Sequence, residues 1–296
     1  MPEFAPFFPM KIPLRYLAVS LCLAALASAA SSSQRPFQEQ IGLQLWSLRG
    51  AFLKNPMEAL DLAKSYGITE VETAGTARMT PEQFKAELDK RGLKAVSAHI
   101  GYERLLSDFD GALKEAKVLG VSAVFVPILP DREKFDHARA MAAAENFNKW
   151  GKAFREAGLR FGYHPHGFEF GPGKTAGKTL FDELVEATNP EDVVYEMDVY
   201  WIVHGGADPV TLLRRYGSRW VALHVKDMRK GIATGLNIGS SPAEDKVAVG
   251  AGQIDWPSVL RAAREVGVQH YFIEDETVDA EANIPPSLDY LRKLKL

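Results

Sequence analysis

The residues of this chain best suited to chemistry are acids, histidines and one lysine that recur in pairs. Glu70 and Glu72, His164 and His166, Glu196 and Asp198, His224 and Lys226, and Glu274 and Glu276 each stand two residues apart, with His99 and His204 nearby in the pattern. On a β-strand that spacing places both side chains on one face. One pair carries little information. Five put so much charge into a core that the groups must pair with one another or share a cation. Imidazole and carboxylate together suit Mn²⁺, Zn²⁺, Co²⁺ or Fe²⁺, whereas Mg²⁺ and Ca²⁺ sites prefer oxygen alone. A functionless network of buried ion pairs is the competing reading, but such pairs seldom stabilise more than apolar packing would.

The elements that would position these residues are legible. Eight β-rich runs alternate with helical stretches: 41–46, 69–73, 94–99, 123–127, 160–164, 193–198, 220–226 and 269–274. Such alternation predicts a parallel sheet wrapped by helices, and eight repeats predict an α/β fold of the (β/α)₈ TIM barrel type as one domain over residues 40–296. Asn55-Pro56, Thr80-Pro81, Asp208-Pro209 and Ser287 read as helix starts. Gly67, Gly92, Gly120, Gly158 and Gly267 read as helix ends. The stretch 227–252, rich in glycine, reads as a long irregular loop and a candidate lid over the site. In such barrels the active site lies at the carboxyl ends of the strands, where the paired residues fall. Trp46, Phe168 and Trp201 stand close to those ends. Their ring faces would suit a sugar, although Trp46 would fit the barrel core equally well.

With 296 residues, 46% hydrophobic and 25% charged, the composition is that of a globular protein and excludes disordered and fibrous classes. The net charge is −3 and no block of Lys or Arg forms a stripe, which argues against a nucleic-acid partner. Residues 1–30 read as a signal peptide. Met10 is a possible start, Lys11 and Arg15 give the basic region, an apolar run follows, and Ala27-Ser28-Ala29 offers a cleavage site. Residues 31–39 then read as a linker. Cys22, the single cysteine, lies in the export segment, so a metal site in the mature chain must use His, Asp and Glu. A periplasmic or secreted location is expected, with no membrane partner after cleavage, and oligomeric state is left open.

Several ordered motifs carry a resemblance. Asp198-Val-Tyr-Trp201, Leu223-His-Val-Lys-Asp227, Val249-Gly-Ala-Gly-Gln-Ile-Asp-Trp256 and Phe272-Ile-Glu274 resemble the xylose isomerase-like superfamily, and the sugar phosphate isomerase/epimerase group within it. Ile41–Arg49 and Gly162–Phe170 are similar to the same group. The resemblance implies a (β/α)₈ barrel with one divalent metal ion, held here by Asp198, His224 and Glu274. The fourth ligand of the family, a glutamate, meets His164 in this chain. That departure makes His164 a candidate ligand, with Glu196 or Glu72 as alternatives.

The chemistry so implied is abstraction of a proton beside a metal-polarised carbonyl, giving an enediolate. Glu274 and Glu196 are candidate bases, His99 and His166 candidate proton shuttles, and Lys226 a partner for developing negative charge. Trp46, Glu72 and Trp201 are candidate substrate contacts. Isomerisation or epimerisation of a non-phosphorylated sugar or keto-sugar is the expected outcome. Keto-glycoside cleavage by the same abstraction, or a non-catalytic sugar-binding subunit, is the alternative. The absence of an arginine cluster among the strand-end residues argues against a sugar phosphate.

Overall fold

The computed structural model describes residue 1, residues 35–235 and residues 239–296. The expected signal peptide, with Cys22, lies outside the described residues apart from Met1. No helix among the described residues is long and apolar enough to cross a membrane.

Ten strands form among the described residues: β1 (Ile41–Gln44), β2 (Glu70–Thr73), β3 (Lys94–His99), β4 (Ala123–Val126), β5 (Arg160–Tyr163), β6 (Val193–Asp198), β7 (Trp220–Val225), β8 (Asp227–Met228), β9 (Lys246–Val247) and β10 (His270–Ile273). Eight of them close a parallel barrel in the order β1 to β7, then β10, which pairs back with β1. These eight are the strands expected from the sequence. β8 and β9 are an antiparallel pair outside the barrel. The barrel unit begins at Phe37. Residues 37–39, expected in a linker, therefore belong to the fold. Phe37 is buried, with its ring edge-on to Tyr271 at 5.0 Å.

Local chemistry explains the alternation. Asn55 Oδ1 accepts from Met57 N at 3.0 Å, Thr80 closes a capping box with Gln83, and Asp208 Oδ2 accepts from Thr211 N at 2.7 Å. Each cap is worth about 1 kcal/mol. The five glycines expected at helix ends all take positive φ, from +64° at Gly92 to +89° at Gly267. Ser287 is a correction: it lies inside the helix Ala280–Lys293, which starts at the cap residue Asp279. Pro285 cannot bond back to the Glu281 carbonyl, and the Tyr66 hydroxyl donates to that oxygen instead, at 3.3 Å.

The barrel interior alternates by twos. Phe125 and Phe272 join an apolar cluster set apart from the main core. A Cβ at Gly162 would stand 2.8 Å from the Phe125 ring, and one at Gly42 would stand 2.8 Å from Phe272, so glycine makes room for both rings. Glu70 belongs to this lower level: it pairs with His270 at 3.0 Å, and only Glu72 reaches the upper level with the other strand-end residues.

The stretch 227–252 is more constructed than the sequence suggests. Asp227 Oδ1 accepts from Met228 N at 2.8 Å and Ile254 N at 3.3 Å, and Oδ2 from Gly250 N at 2.8 Å and Gly252 N at 3.1 Å. One carboxylate thus ties two distant motifs together.

Candidate active site

Asp198 is the last residue of β6 and caps the short helix Val199–His204, with Oδ1 accepting from Trp201 N at 3.2 Å. Its other oxygen is left to face the barrel mouth. Oδ2 lies 3.7 Å from His164 Nε2, 4.0 Å from His224 Nδ1 and 3.5 Å from Lys226 Nζ. His224 Nδ1 is 3.3 Å from Glu274 Oε2. Donor atoms of Asp198, His224 and Glu274 all lie within 4.8 Å of one another. Three of the four residues expected as ligands therefore form one group, His164 borders it through the 3.7 Å approach of Nε2 to Asp198, and all four are buried.

Behind them lies a layer of hydrogen-bonded carboxylates. His224 Nε2 lies 2.6 Å from Glu72 Oε2, and Glu72 also accepts from Ser97 Oγ at 2.6 Å and Gln44 Nε2 at 2.7 Å. Glu196 Oε2 lies 2.8 Å from His99 Nε2, 3.1 Å from His164 Nδ1 and 3.2 Å from His224 Nε2. His99, His164, Glu196 and His224 thus form a second compact donor group, but its imidazole nitrogens already have carboxylate partners. His224 Nδ1 is buried and makes no hydrogen bond, with Glu274 Oε2 at 3.3 Å only an ion-pair neighbour. A ring whose far nitrogen is fixed by a carboxylate and whose near nitrogen points bare at two others is the arrangement of a metal-binding histidine.

Protons balance the acids in the site. Burial opposes charge on His224, but Glu196 and Glu274 outweigh it and hold the imidazole well above its usual range. Burial raises Asp198 to about 6 against the pull of Lys226. Burial also works against ionised Glu274, yet Lys226 and His224 keep it well below the usual carboxylate range. Burial and the neighbouring His224 push His164 well down, which leaves a neutral ring. Two carboxylates, a neutral imidazole and an imidazole nitrogen without a hydrogen bond fit a divalent cation that displaces protons as it binds.

Lys226 spans the mouth. Nζ reaches Glu274 Oε2 at 2.9 Å and pairs with Glu276, whose Oε1 accepts from the indole of the half-exposed Trp46 at 3.2 Å. Trp201 faces both Lys226 and Lys246, at 5.3 and 5.6 Å from its ring centre. The His166 ring lies 5.2 Å from Trp201. His166 Nδ1 and Trp201 Nε1 are buried without partners among the described residues. Phe168, expected as a pocket wall, packs edge-on against Phe135, and His204 stacks on Tyr200. Sequence reasoning passed over Gln44, Ser97 and Lys246. The first two share the inward period of Glu72 and His99 but carry no charge to draw notice.

A family model described as xylose isomerase-like TIM barrel matches residues 60–294. The chain belongs to that family. Among curated relatives is an inosose dehydratase from Clostridium tetani, 28% identical over 164 residues, which cover 53% of this chain and 54% of that one. This chain thus spans about half the length of that relative. A solved sugar phosphate isomerase/epimerase from Parabacteroides distasonis is 25% identical, covers 89% of this chain and 95% of its own, and superposes with a TM-score of 0.69. The IOLI protein, solved with a binding zinc atom, shares the fold at 14% identity and a TM-score of 0.61, covering 86% and 95% of the two chains.

Proposed function

We propose that this chain removes the proton beside the carbonyl of a non-phosphorylated keto-sugar and then expels an oxygen substituent from the next carbon. The observation that carries the reading is His224 Nδ1, buried and without a hydrogen bond between Asp198 and Glu274. His164, Asp198, His224 and Glu274 would hold one divalent ion, Mn²⁺, Zn²⁺, Co²⁺ or Fe²⁺, and the zinc in the IOLI neighbour supports this. When bound, the ion supplies Lewis acidity toward a substrate carbonyl.

The other steps fall to side chains. His166 offers the free Nδ1 that takes the proton. Burial and Lys226 hold this imidazole down at about 3, while Glu274 and Glu276 pull it upward. Negative charge forming on the substrate beside Lys226 offsets the depressing influence and makes His166 more basic as the proton moves. Lys226 meets the enediolate charge and can donate to the departing oxygen. Trp201 packs on the sugar and donates Nε1 to a hydroxyl. Glu72, Glu196 and His99, first read as substrate or acid/base groups, act from behind by fixing the tautomers of His164 and His224.

Isomerisation and epimerisation share the first step. Elimination is preferred because Lys226 supplies an acid and because the Clostridium relative is named a dehydratase. The basic, apolar and small-residue order of residues 10–30 supports an exported enzyme, which would rarely meet sugar phosphates.

The test is deuterium exchange from solvent into an inosose or a 3-keto-glucoside with Mn²⁺ present. Wild type should exchange and should hold about one metal ion per chain. Asp198→Ala and His224→Ala should lose both properties. Equal metal content in wild type and both variants would sink the proposed site.

A further inference from the structure

A separate cavity of about 490 Å³ opens beside Trp46, between the turns that follow β1 and β2. Leu45, Phe52, Leu53, Pro56 and Phe84 give it apolar walls. Two large apolar side chains that the fold leaves in water, Trp46 at 46% and Leu53 at 80% exposure, line this same hollow. A concave apolar patch of this kind marks a binding surface. The opposite wall is backbone in an uncommon conformation. Ala77 and Arg78 both take left-handed φ, +51° and +65°, and Thr76 pins the turn through Oγ1 to Met79 O at 2.7 Å. Strain of this sort gathers at ligand sites.

A relay of side chains links the cavity to the proposed metal site. The indole that lines it donates to Glu276, Glu276 pairs with Lys226, and Lys226 reaches Glu274 Oε2 at 2.9 Å. Arg49 lies over that indole at 5.5 Å and bonds the Trp46 carbonyl at 3.1 Å, which holds the ring in place.

We propose that this cavity receives an aromatic aglycone, the leaving group of a keto-glycoside whose sugar half sits among His164, Asp198, His224 and Glu274. The proposal rests on the keto-sugar reading given above. In the step, the C–H bond beside the carbonyl breaks and its electron pair becomes a C=C bond. The adjacent carbon–oxygen bond breaks with its pair on the glycosidic oxygen, which takes up a proton. The products are an unsaturated keto-sugar and a free phenol, and no oxidant or reductant is needed. A phenol, with a pKa near that of tyrosine at about 10, leaves far more readily than a sugar hydroxyl. The cavity thus holds the group whose departure the chemistry favours.

The experiment has a binding arm and a kinetic arm, both on the full chain. 4-Nitrophenol should bind wild type by calorimetry, and Ala74→Trp, which fills the cavity from its rim, should abolish that binding. Leu53→Glu, at an exposed helical position, should weaken it independently. The preference in kcat/KM for 4-nitrophenyl over methyl 3-keto-glucoside should fall at least about tenfold in Ala74→Trp. Comparing the ratio between proteins cancels the intrinsic reactivity of the two glycosides. Cleavage of both substrates with a ratio unmoved by either variant would overturn this proposal alone. Binding of 4-nitrophenol without cleavage of either glycoside would overturn the keto-sugar reading and the proposal with it. A wild-type dimer that Leu53→Glu dissociates, with no 4-nitrophenol bound, would make the hollow a contact between copies and overturn the proposal.

Discussion

His224 meets Glu72 through Nε2 at 2.6 Å, and the same ring leaves Nδ1 without a hydrogen bond 3.3 Å from Glu274. The two facts are one device. Ser97 and Gln44 hold Glu72 still, Glu72 fixes the protonated nitrogen of His224, and the lone pair is thereby aimed at Asp198 and Glu274. Replacing Glu72 with Gln weakens that orientation without removing any ligand. Affinity for Mn²⁺ or Zn²⁺ should fall about 10- to 100-fold by calorimetry, with the far-UV circular dichroism spectrum retained. Unchanged affinity would mean that His224 is not oriented in this way.

Metal uptake should release protons and strengthen with pH. Asp198, raised by burial to about 6, and His224, held well above its usual range by Glu196 and Glu274 against the cost of burial, both carry protons that a cation must displace. Affinity should therefore drop steeply as pH falls through about 6 and keep rising above neutrality. Calorimetry in buffers of different ionisation enthalpy reads the protons released directly. A binding constant flat between about pH 5.5 and pH 8 contradicts the assignment of these two groups as ligands.

The barrel was legible because its signals are local. Inward period two, helix caps such as Thr80 and terminal glycines such as Gly267 all act within a few residues, and the paired acids mark one end of the cylinder. What escaped depends on distance. β2 shifts register against β3 between Val71 and Glu72, and β6 shifts against β7 between Tyr195 and Glu196. Glu72 and Glu196, each next to such a shift, lie behind the imidazoles, and no short window of sequence reports either shift. Ser287 was misplaced because Pro285-Pro286 imitates a helix start, while the carbonyl that Pro285 leaves open is met by Tyr66 from the other end of the chain. Lys246 reaches Trp201 and Tyr200 only through the β8–β9 pairing.

Glu169 should make stability depend on pH. It is fully buried, accepts from the Tyr163 hydroxyl and from His166 N at 3.1 Å, and burial raises it from 4.5 to about 7. A carboxyl raised on folding favours the native state fully below its unfolded value, and that contribution is lost as pH climbs through the folded one. Between about pH 4 and pH 8 the loss amounts to about 3 kcal/mol. Glu169→Gln keeps an acceptor for both donors and removes the titration. Urea unfolding across that range should show a shallower decline for the variant. Parallel curves for the two proteins would show that Glu169 titrates alike in both states.

Asp227 and Gly252 should behave as one unit. Four backbone N–H groups converge on the Asp227 carboxylate, and a Cβ on Gly252 would fall 2.2 Å from its Oδ1 and 2.3 Å from the Met228 carbonyl. Asp227→Ala leaves those donors to whatever water can reach them, which should cost about 3 kcal/mol. Gly252→Ala forces the same carboxylate out of place and should destabilise by a similar route. Because both substitutions disturb the Asp227 carboxylate, the double variant should lose less stability than the two single losses together, with the clash against the Met228 carbonyl remaining as the share that belongs to Gly252→Ala alone. Urea unfolding of the four proteins measures the coupling directly. Strictly additive losses would show that Asp227 and Gly252 support the segment through separate contacts, and that the two motifs are not joined by a single carboxylate.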